Sequence, residues 1–286
     1  MDITYGKPDQ NELYHLYLEC FPDYSVQREL FFNLLRPEKA IVACVYGEDG
    51  DIDGYSMIHD SSIAILCVKP SHRQKGLGSR LLDESERIVA HAGAKRVVLG
   101  RGTHYLLQGV PHKENEVAFF EKRGYKADWV STNMTLKLNE FSPERLDVPS
   151  LPEGVLFRFA AEQDRQALSA AVIDAHSAWE GIFLDCADPV LLAVKGKEIV
   201  GFEILSPNGG RFAPPDQKVG AIGCVGVIHS ERSAGIGRQM VIQGAQWLKN
   251  QRCHSIELRY VELVDWYKKI GFVPVAYQWM GEKALI

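Results

Sequence analysis

Two stretches of this chain carry an arginine followed by a pair of glycines at the same spacing. The first is Arg73-Gln74-Lys75-Gly76-Leu77-Gly78-Ser79. The second is Arg232-Ser233-Ala234-Gly235-Ile236-Gly237-Arg238. Each follows a short apolar run, Ile63 to Val68 or Ile222 to Val227, and each leads into a helical pattern. A turn of this kind holds an anion. The first backbone N–H groups of a helix have no intrahelical acceptor, and the helix dipole adds partial positive charge there. Glycine lets the backbone approach a ligand closely. Arg73, Lys75, Arg80, Arg232 and Arg238 add formal positive charge. A diphosphate is the natural guest. The apolar positions Leu77, Leu81, Leu82, Ile88 and Val89 return in step as Ile236, Met240, Val241, Trp247 and Leu248. The two stretches therefore belong to one domain-sized internal repeat.

Two common diphosphate grips fail here. A P-loop needs Lys-Ser/Thr directly after its last glycine; Ser79-Arg80 and Arg238-Gln239 stand there. The dinucleotide fingerprint needs a third glycine; Leu81 and Met240 occupy that position. What remains is Arg-x-x-Gly-x-Gly after an apolar strand. This resembles the acyl-CoA loop of the GNAT superfamily of N-acetyltransferases. The lead-in Val68-Lys-Pro70-Ser-His-Arg73 resembles that family too. So does the distal run Ala118-Phe-Phe-Glu-Lys-Arg-Gly124-Tyr125, with its echo Asp265-Trp-Tyr-Lys-Lys-Ile-Gly271-Phe272. The resemblance covers nearly the whole chain, as two copies in tandem.

The resemblance implies a mixed α+β fold: two domains, each a twisted sheet flanked by helices and splayed apart beside its key strand. It implies acetyl-CoA as acyl donor, with the pantetheine arm pairing along Cys67-Val68 or Gly226-Val227. The pyrophosphate would rest on the amides of the Arg73 to Ser79 or Arg232 to Arg238 turn. The acceptor, a small-molecule or peptide amine, would attack the thioester directly, with no metal. That chemistry needs a neutral amine, a stabilised oxyanion and a proton for the leaving thiolate. A tyrosine in the distal helix often gives that proton in the family. Tyr267 stands at the matching position of the second half and Phe120 at that of the first. Tyr260 stands where the family's distal motif often begins with asparagine.

The residues leave the base open among Glu203, Glu257 and His229 in the second half, and His59, Asp60 and His104 in the first. Cys67 ends the key strand, but no His-Asp pattern supports a nucleophile and Gly226 replaces it in the repeat. It reads as a packing thiol. Acceptor selection in this fold usually involves the segment between the first two helices. Here these are Phe21-Pro-Asp23-Tyr24 and Trp179 to Phe183, where aromatics beside Asp23, Glu180 and Asp185 could hold a cationic amine. The same residues also fit an acyl-CoA-binding module that does no chemistry, or one active and one structural domain.

The elements that must position these groups follow from pattern. Asp9 caps a helix through about Phe21, and Ser25 a second one. Ala40 to Tyr46 and Gly54 to Ile58 read as a hairpin around Gly47-Glu-Asp-Gly50, with the key strand next. A helix runs to about Ala92, then the strand Arg96 to Leu99, a loop from Gly100 to Asn115 and a helix Glu116 to Lys122. Aromatic-rich runs around Tyr125 to Trp129 and Thr132 to Leu138 close the first half. The second half repeats this order without the long loop. Residues 139–154, with three prolines and no period, read as the link. The expected division is a domain over 1–140, a linker over 141–154 and a domain over 155–286.

The bulk numbers agree with this. The 286 residues suit about two domains, and 46% hydrophobic residues let each bury a core. A net charge of −5 argues against a nucleic-acid surface. Six cysteines without a C-x-x-C pair or zinc-ligand spacing point to reduced thiols. With no basic and apolar leader and no run of ~18 apolar residues, a cytoplasmic protein with no membrane association is expected.

Overall fold

A computed structural model describes residues 2–101, 106–213 and 216–285. In chain order the first elements are β1 (Ile3–Tyr5), α1 (Gln10–Cys20), α2 (Arg28–Leu35), β2 (Ile41–Tyr46), β3 (Ile52–His59), β4 (Ser62–Val68) and α3 (Leu77–His91). They continue with β5 (Arg96–Leu99), β6 (Val110–Pro111), α4 (Glu114–Glu121) and β7 (Val130–Lys137). The later elements are β8 (Val155–Phe159), α5 (Arg165–His176), α6 (Glu180–Leu184), β9 (Val190–Lys195), β10 (Glu198–Ser206) and β11 (Val219–Val227). Last come α7 (Ile236–Asn250), β12 (Ser255–Val261), α8 (Val264–Lys268), β13 (Val273–Trp279) and β14 (Glu282–Ala284).

Local chemistry explains most of these boundaries. The Asp9 carboxylate accepts from the amides of Asn11 and Glu12 and so caps α1. Helix α3 buries Leu77, Leu81, Leu82, Ser85 and Val89, one face at helical spacing. Gly124 (φ 87°) and Gly271 (φ 100°) end α4 and α8 in the left-handed region. Past them the amides of Tyr125 and Phe272 return to the carbonyls of Phe120 and Tyr267. The run Tyr125 to Trp129 is not a strand. It makes one bridge, Lys126 to Glu282.

The chain folds into two compact units: Met1–Ser131 with Ala276–Ile286, and Thr132–Val275. This departs from the expected serial division at 140 and 155. In the first unit β1, β2, β3 and β4 pair antiparallel in sequence, β5 joins β4 in parallel, and β14 pairs antiparallel with β5. β6 pairs with the end of β13 through Gln278 and Trp279. The C-terminal segment also seals the core. Trp279 packs with Val97, Leu99, Val110, Phe120 and Tyr125, and the Gln278 carboxamide oxygen accepts from the amides of Gln108 and Gly109. In the second unit β8, β9, β10 and β11 are antiparallel, β12 joins β11 in parallel, and β7 pairs antiparallel with β12. Short strands carry no mark of their partner, because pairing is fixed by packing and register. This is why the expected boundary placed β7 and β13 by sequence order.

Candidate active site

In the first unit β4 is paired along one edge and half open along the other. Toward β3 the register runs from Gly54 opposite Val68 to His59 opposite Ser62. Toward β5 only Ser62 and Ile63 are paired, with Val98 and Leu99. Two features part the strands. Gly100 (φ 72°) turns the chain away after β5, and a Cβ there would lie 2.6 Å from the Gly109 nitrogen. A bulge also leaves one extra residue in β4 where Ile65 faces Met57 and Ile63 faces Ile58. The sheet is therefore splayed beside its key strand.

The parity of that open edge is fixed. The Lys69 amide donates to the Asp53 carbonyl. Alternation along an antiparallel pair then turns the backbone groups of Cys67 toward Tyr55, and those of Leu66 and Val68 into the gap. The Val68 carbonyl indeed accepts from Arg73 Nε at 3.1 Å and from the Cys20 thiol at 3.3 Å. Backbone pairing expected at Cys67 thus falls to Leu66, and Cys67 contributes only a side chain.

Beyond β4 the turn adopts the left-handed region at Gln74 (φ 61°) and Gly76 (φ 84°), and α3 begins at Leu77. Leu77 itself is buried, and its amide, at the first position of α3, has no intrahelical acceptor. A Cβ on Gly76 would meet nothing within 4 Å. The turn and the open strand edge line one cleft of about 780 Å³, bounded opposite by Gly109, Val110 and α4. That size suits a small-molecule site. Arg73, Gln74, Gly76, Gly78 and Ser79 line it. Lys75 is exposed and is not part of that lining.

The cleft also holds groups that the sequence reading passed over. Arg123, at the end of α4, donates to Ser79 Oγ and to the Phe119 carbonyl, and its guanidinium stacks 3.9 Å from the Phe119 ring centroid. It brings a second fixed positive charge to the mouth of the turn. The signal was present in Lys122-Arg123-Gly124, but which side of α4 faces the turn is a tertiary fact. Cys20 and Glu116 also line the cleft, and Lys113 Nζ pairs with Asp23 at 2.7 Å at its edge.

The second unit repeats the frame with a different finish. β11 pairs with β12 from Val219 to Ala221 and from there to Val227 is paired with β10 alone among the described residues. It carries the same bulge, with Cys224 at φ 50°. Arg232 Nε donates to the Val227 carbonyl at 3.1 Å, as Arg73 does to Val68. Ser233 and Gly235 take the left-handed angles of Gln74 and Gly76. Gly226 lies under Phe202, whose ring would be 2.3 Å from a Cβ there, so no cysteine fits where the first unit has Cys67. The turn, however, is partly covered. The Pro149 carbonyl accepts from Gln239 Nε2 at 2.8 Å and the Asp147 carbonyl from Arg238 Nη1 at 3.5 Å. A Cβ on Gly235 would lie 2.9 Å from Pro149 Cβ. The proline-rich segment is thus packed onto the start of α7 at Gly235, Arg238 and Gln239, whereas Gly237 faces Trp266 and Val227, Ile236 is buried and Ala234 packs against the core cluster that Ile236 joins.

Tyr267 sits edge-on to Trp266 and Phe272, at 4.7 and 5.7 Å between centroids. Phe120 packs the same way on Phe119 and Tyr125. Burial, and behind it the charge of Glu203, push the Tyr267 phenol well above its ordinary range. The candidate bases lie in different settings. Glu203 lies fully buried beneath α7, where Gly244 leaves room for its carboxyl, and burial pushes it up to about 8. Glu257 accepts from the Arg211 amide and from Arg259. His229 is held by Asp174 at 3.2 Å, and His59 Nε2 bonds the Leu35 carbonyl at 2.6 Å. Asp60 (φ 51°) turns the β3–β4 hairpin. His104 lies outside the described residues. Among the described residues no three potential metal ligands gather, and no helix is long and apolar enough to cross a membrane.

Comparisons with known proteins place this frame. The model of the acetyltransferase (GNAT) family matches residues 156–272, and that of an acetyltransferase (GNAT) domain matches residues 31–127. A mycothiol acetyltransferase from Amycolatopsis mediterranei is 25% identical over 259 residues, covering 81% of this chain and 80% of that protein. Among solved structures, the chain is similar to a GCN5-related N-acetyltransferase from Sphaerobacter thermophilus. The TM-score is 0.74 at 17% identity, with 99% of this chain and 95% of that one covered. It is also similar to the glucosamine N-acetyltransferase region of a fungal multi-domain GH3 beta-N-acetylglucosaminidase. There the TM-score is 0.83 at 19% identity, over 98% of this chain and 38% of that one.

Proposed function

Because the chain belongs to the GNAT acetyltransferase family, once in each half of its sequence, we propose that it transfers an acetyl group from acetyl-CoA to a primary amine, with the donor bound in the first unit. The observation that carries this reading is the uncovered amide turn at Gly76, opening directly onto the unpaired edge of β4. The residues present fit the donor. The amides of Leu77, Gly78 and Ser79, with Arg73 and Arg123, suit a diphosphate. The backbone edges of Val68 and Leu66 suit an arm bearing amides, and the bulge around Ala64 and Ile65 offers amides to a developing oxyanion. Acetyl-CoA brings an acyl group activated on an alkyl thiol; such a thiol, cysteine for instance, has a pKa of about 8.5, so the leaving thiolate can take its proton from water where no side chain supplies one. Phe120 in place of tyrosine is then tolerable.

The amine must lose its proton before or during attack. Of the carboxylates on the cleft wall, Asp23 is engaged by Lys113, and Glu116 in the first turn of α4 is the better receiver, directly or through water. The covered turn of the second unit reads as a structural copy. The named activities of the relatives put small-molecule amines, glucosamine among them, first in a substrate panel.

Amine-dependent release of free thiol from acetyl-CoA tests the proposal. Glu116→Gln should lower kcat by about 10²-fold or more while leaving KM for acetyl-CoA near wild type. Phe120 favours one rival, an acyl-CoA-binding protein without turnover. Binding of acetyl-CoA with no thiol release from any amine would select that rival.

A further inference from the structure

Two thiols meet on the wall of the first unit's cleft. Cys20 ends α1 and Cys67 ends the buried part of β4, and both line the cleft. The Cys20 thiol donates to the Val68 carbonyl at 3.3 Å, the acceptor that Arg73 Nε also uses. Cys67 lies opposite Tyr55 in the β3–β4 register, and the Tyr55 hydroxyl donates to the Leu13 carbonyl of α1 at 3.1 Å, so Cys67 is on the sheet face covered by the helix that ends in Cys20. Cys20 is partly exposed and Cys67 is buried, and both are free thiols. From this arrangement we infer that Cys20 and Cys67 form a thiol-modification site, in which Cys20 attacks a low-molecular-weight disulfide that enters the cleft and Cys67 resolves the adduct.

The surroundings give the two thiols different parts. The Cys67 thiol, and behind it the Arg73 guanidinium, pull the Cys20 thiol below the ordinary cysteine range, against the opposing effect of burial. Burial pushes Cys67 well above that range. The reactive thiol is thus the one that opens on the cleft, next to a cation, as thiolate chemistry requires. The buried one becomes the resolving thiol only once a sulfur is presented to it.

The step balances without any other reagent. The Cys20 thiolate attacks one sulfur of R–S–S–R, forming Cys20–S–S–R and releasing one RS⁻, which takes up the Cys20 proton. The Cys67 sulfur then attacks the Cys20 sulfur and expels the second RS⁻, which takes the Cys67 proton. The protein loses two electrons as a disulfide, and the small disulfide gains them as two thiols. Either product changes the cleft. The mixed disulfide fills the edge beside Val68. The internal disulfide removes the Cys20 thiol from the Val68 carbonyl and ties α1 to β4. A ligand lying along β4 and the modification should therefore exclude each other. This consequence rests on the donor-binding reading above, whereas the chemistry of the two thiols does not.

The test uses the full chain, reduced, desalted and exposed to oxidised glutathione, with alkylation and peptide mapping. The expected result is a Cys20–Cys67 linkage formed ahead of reaction at Cys44, Cys186, Cys224 and Cys253. Cys67→Ser should stop at one glutathione on Cys20. Cys20→Ser, a second variant in case the first is poorly folded, should leave Cys67 unmodified. Reaction at other cysteines first, or glutathione on Cys67 in the Cys20→Ser protein, would overturn the assignment. Saturating acetyl-CoA should slow the linkage by about tenfold or more. A Cys20–Cys67 linkage formed at an unchanged rate would support the thiol site and remove the donor from this cleft.

Discussion

Glu203 is a carboxyl that folding takes wholly out of water. Its carboxyl is buried with no hydrogen-bond partner on either oxygen among the described residues, and burial raises it from 4.5 to about 8. The folded state thus keeps a proton that the unfolded chain releases above about 4.5. Stability contributed by the neutral acid is complete below that pH and lost as pH rises toward 8, by about 1.4 kcal/mol per pH unit. Glu203→Gln should flatten the fall of Tm between pH 5 and 8. A variant whose Tm falls as steeply as wild type would contradict this. The first unit solves the same strand-helix contact differently, with Ser85 donating to Ser56 at 2.8 Å. A Cβ on Gly244 would lie 2.3 Å from Glu203 Oε1. Gly244→Ser alone should therefore destabilise by about 1–3 kcal/mol, and Glu203→Ser in the same chain should recover most of it. Additive losses in denaturant melts would argue against a shared contact. At this scale the sequence named Glu203 as a polar residue in a strand, and hence as a candidate base. Its true neighbour, Gly244, lies on another element, so nothing near it in the chain told a buried acid from a catalytic one.

At the scale of elements, the strand, turn and helix of both copies could be read from glycine and arginine spacing, because left-handed turns and anion cradles demand those residue types. The splay was expected from family resemblance alone. Its causes, the β4 bulge and the turn at Gly100, depend on pairings that spacing does not encode. Parity was also hidden. One hydrogen bond, Lys69 to Asp53, decides that Leu66 rather than Cys67 faces the gap. The segment around Pro149 read only as a link, since prolines without a period give no sign of what they pack against. Its role is checkable. Replacing Asp147, Val148 and Pro149 with glycine should raise amide hydrogen exchange at Gly235 to Gln239 and leave that at Gly76 to Arg80 unchanged. Equal rates at the second turn before and after the change would mean that it was never covered.

For the whole molecule, the assignment of residues 276–286 to the first unit has a direct consequence. A fragment ending at 140 lacks β14, the Gln278 oxygen that accepts from Gln108 and Gly109, and Trp279 from the core. Loss of a buried tryptophan alone costs about 3–5 kcal/mol, a large part of the stability of a domain this size. Residues 1–140 should therefore give a broad or absent thermal transition by circular dichroism, where the full chain melts cooperatively. A sharp, near-native melt would restore the serial boundary.

The central claim is that two copies of one anion-binding frame have unequal access, so that only the first takes acetyl-CoA. Titration calorimetry of the full chain with acetyl-CoA, on wild type, Arg73→Glu and Arg232→Glu, tests it most directly. One equivalent per chain is predicted. Arg73→Glu should weaken it by about tenfold or more, a loss of ~1.4 kcal/mol, and Arg232→Glu should leave it unchanged. Two equivalents per chain, or loss of the bound equivalent with Arg232→Glu, would contradict the account.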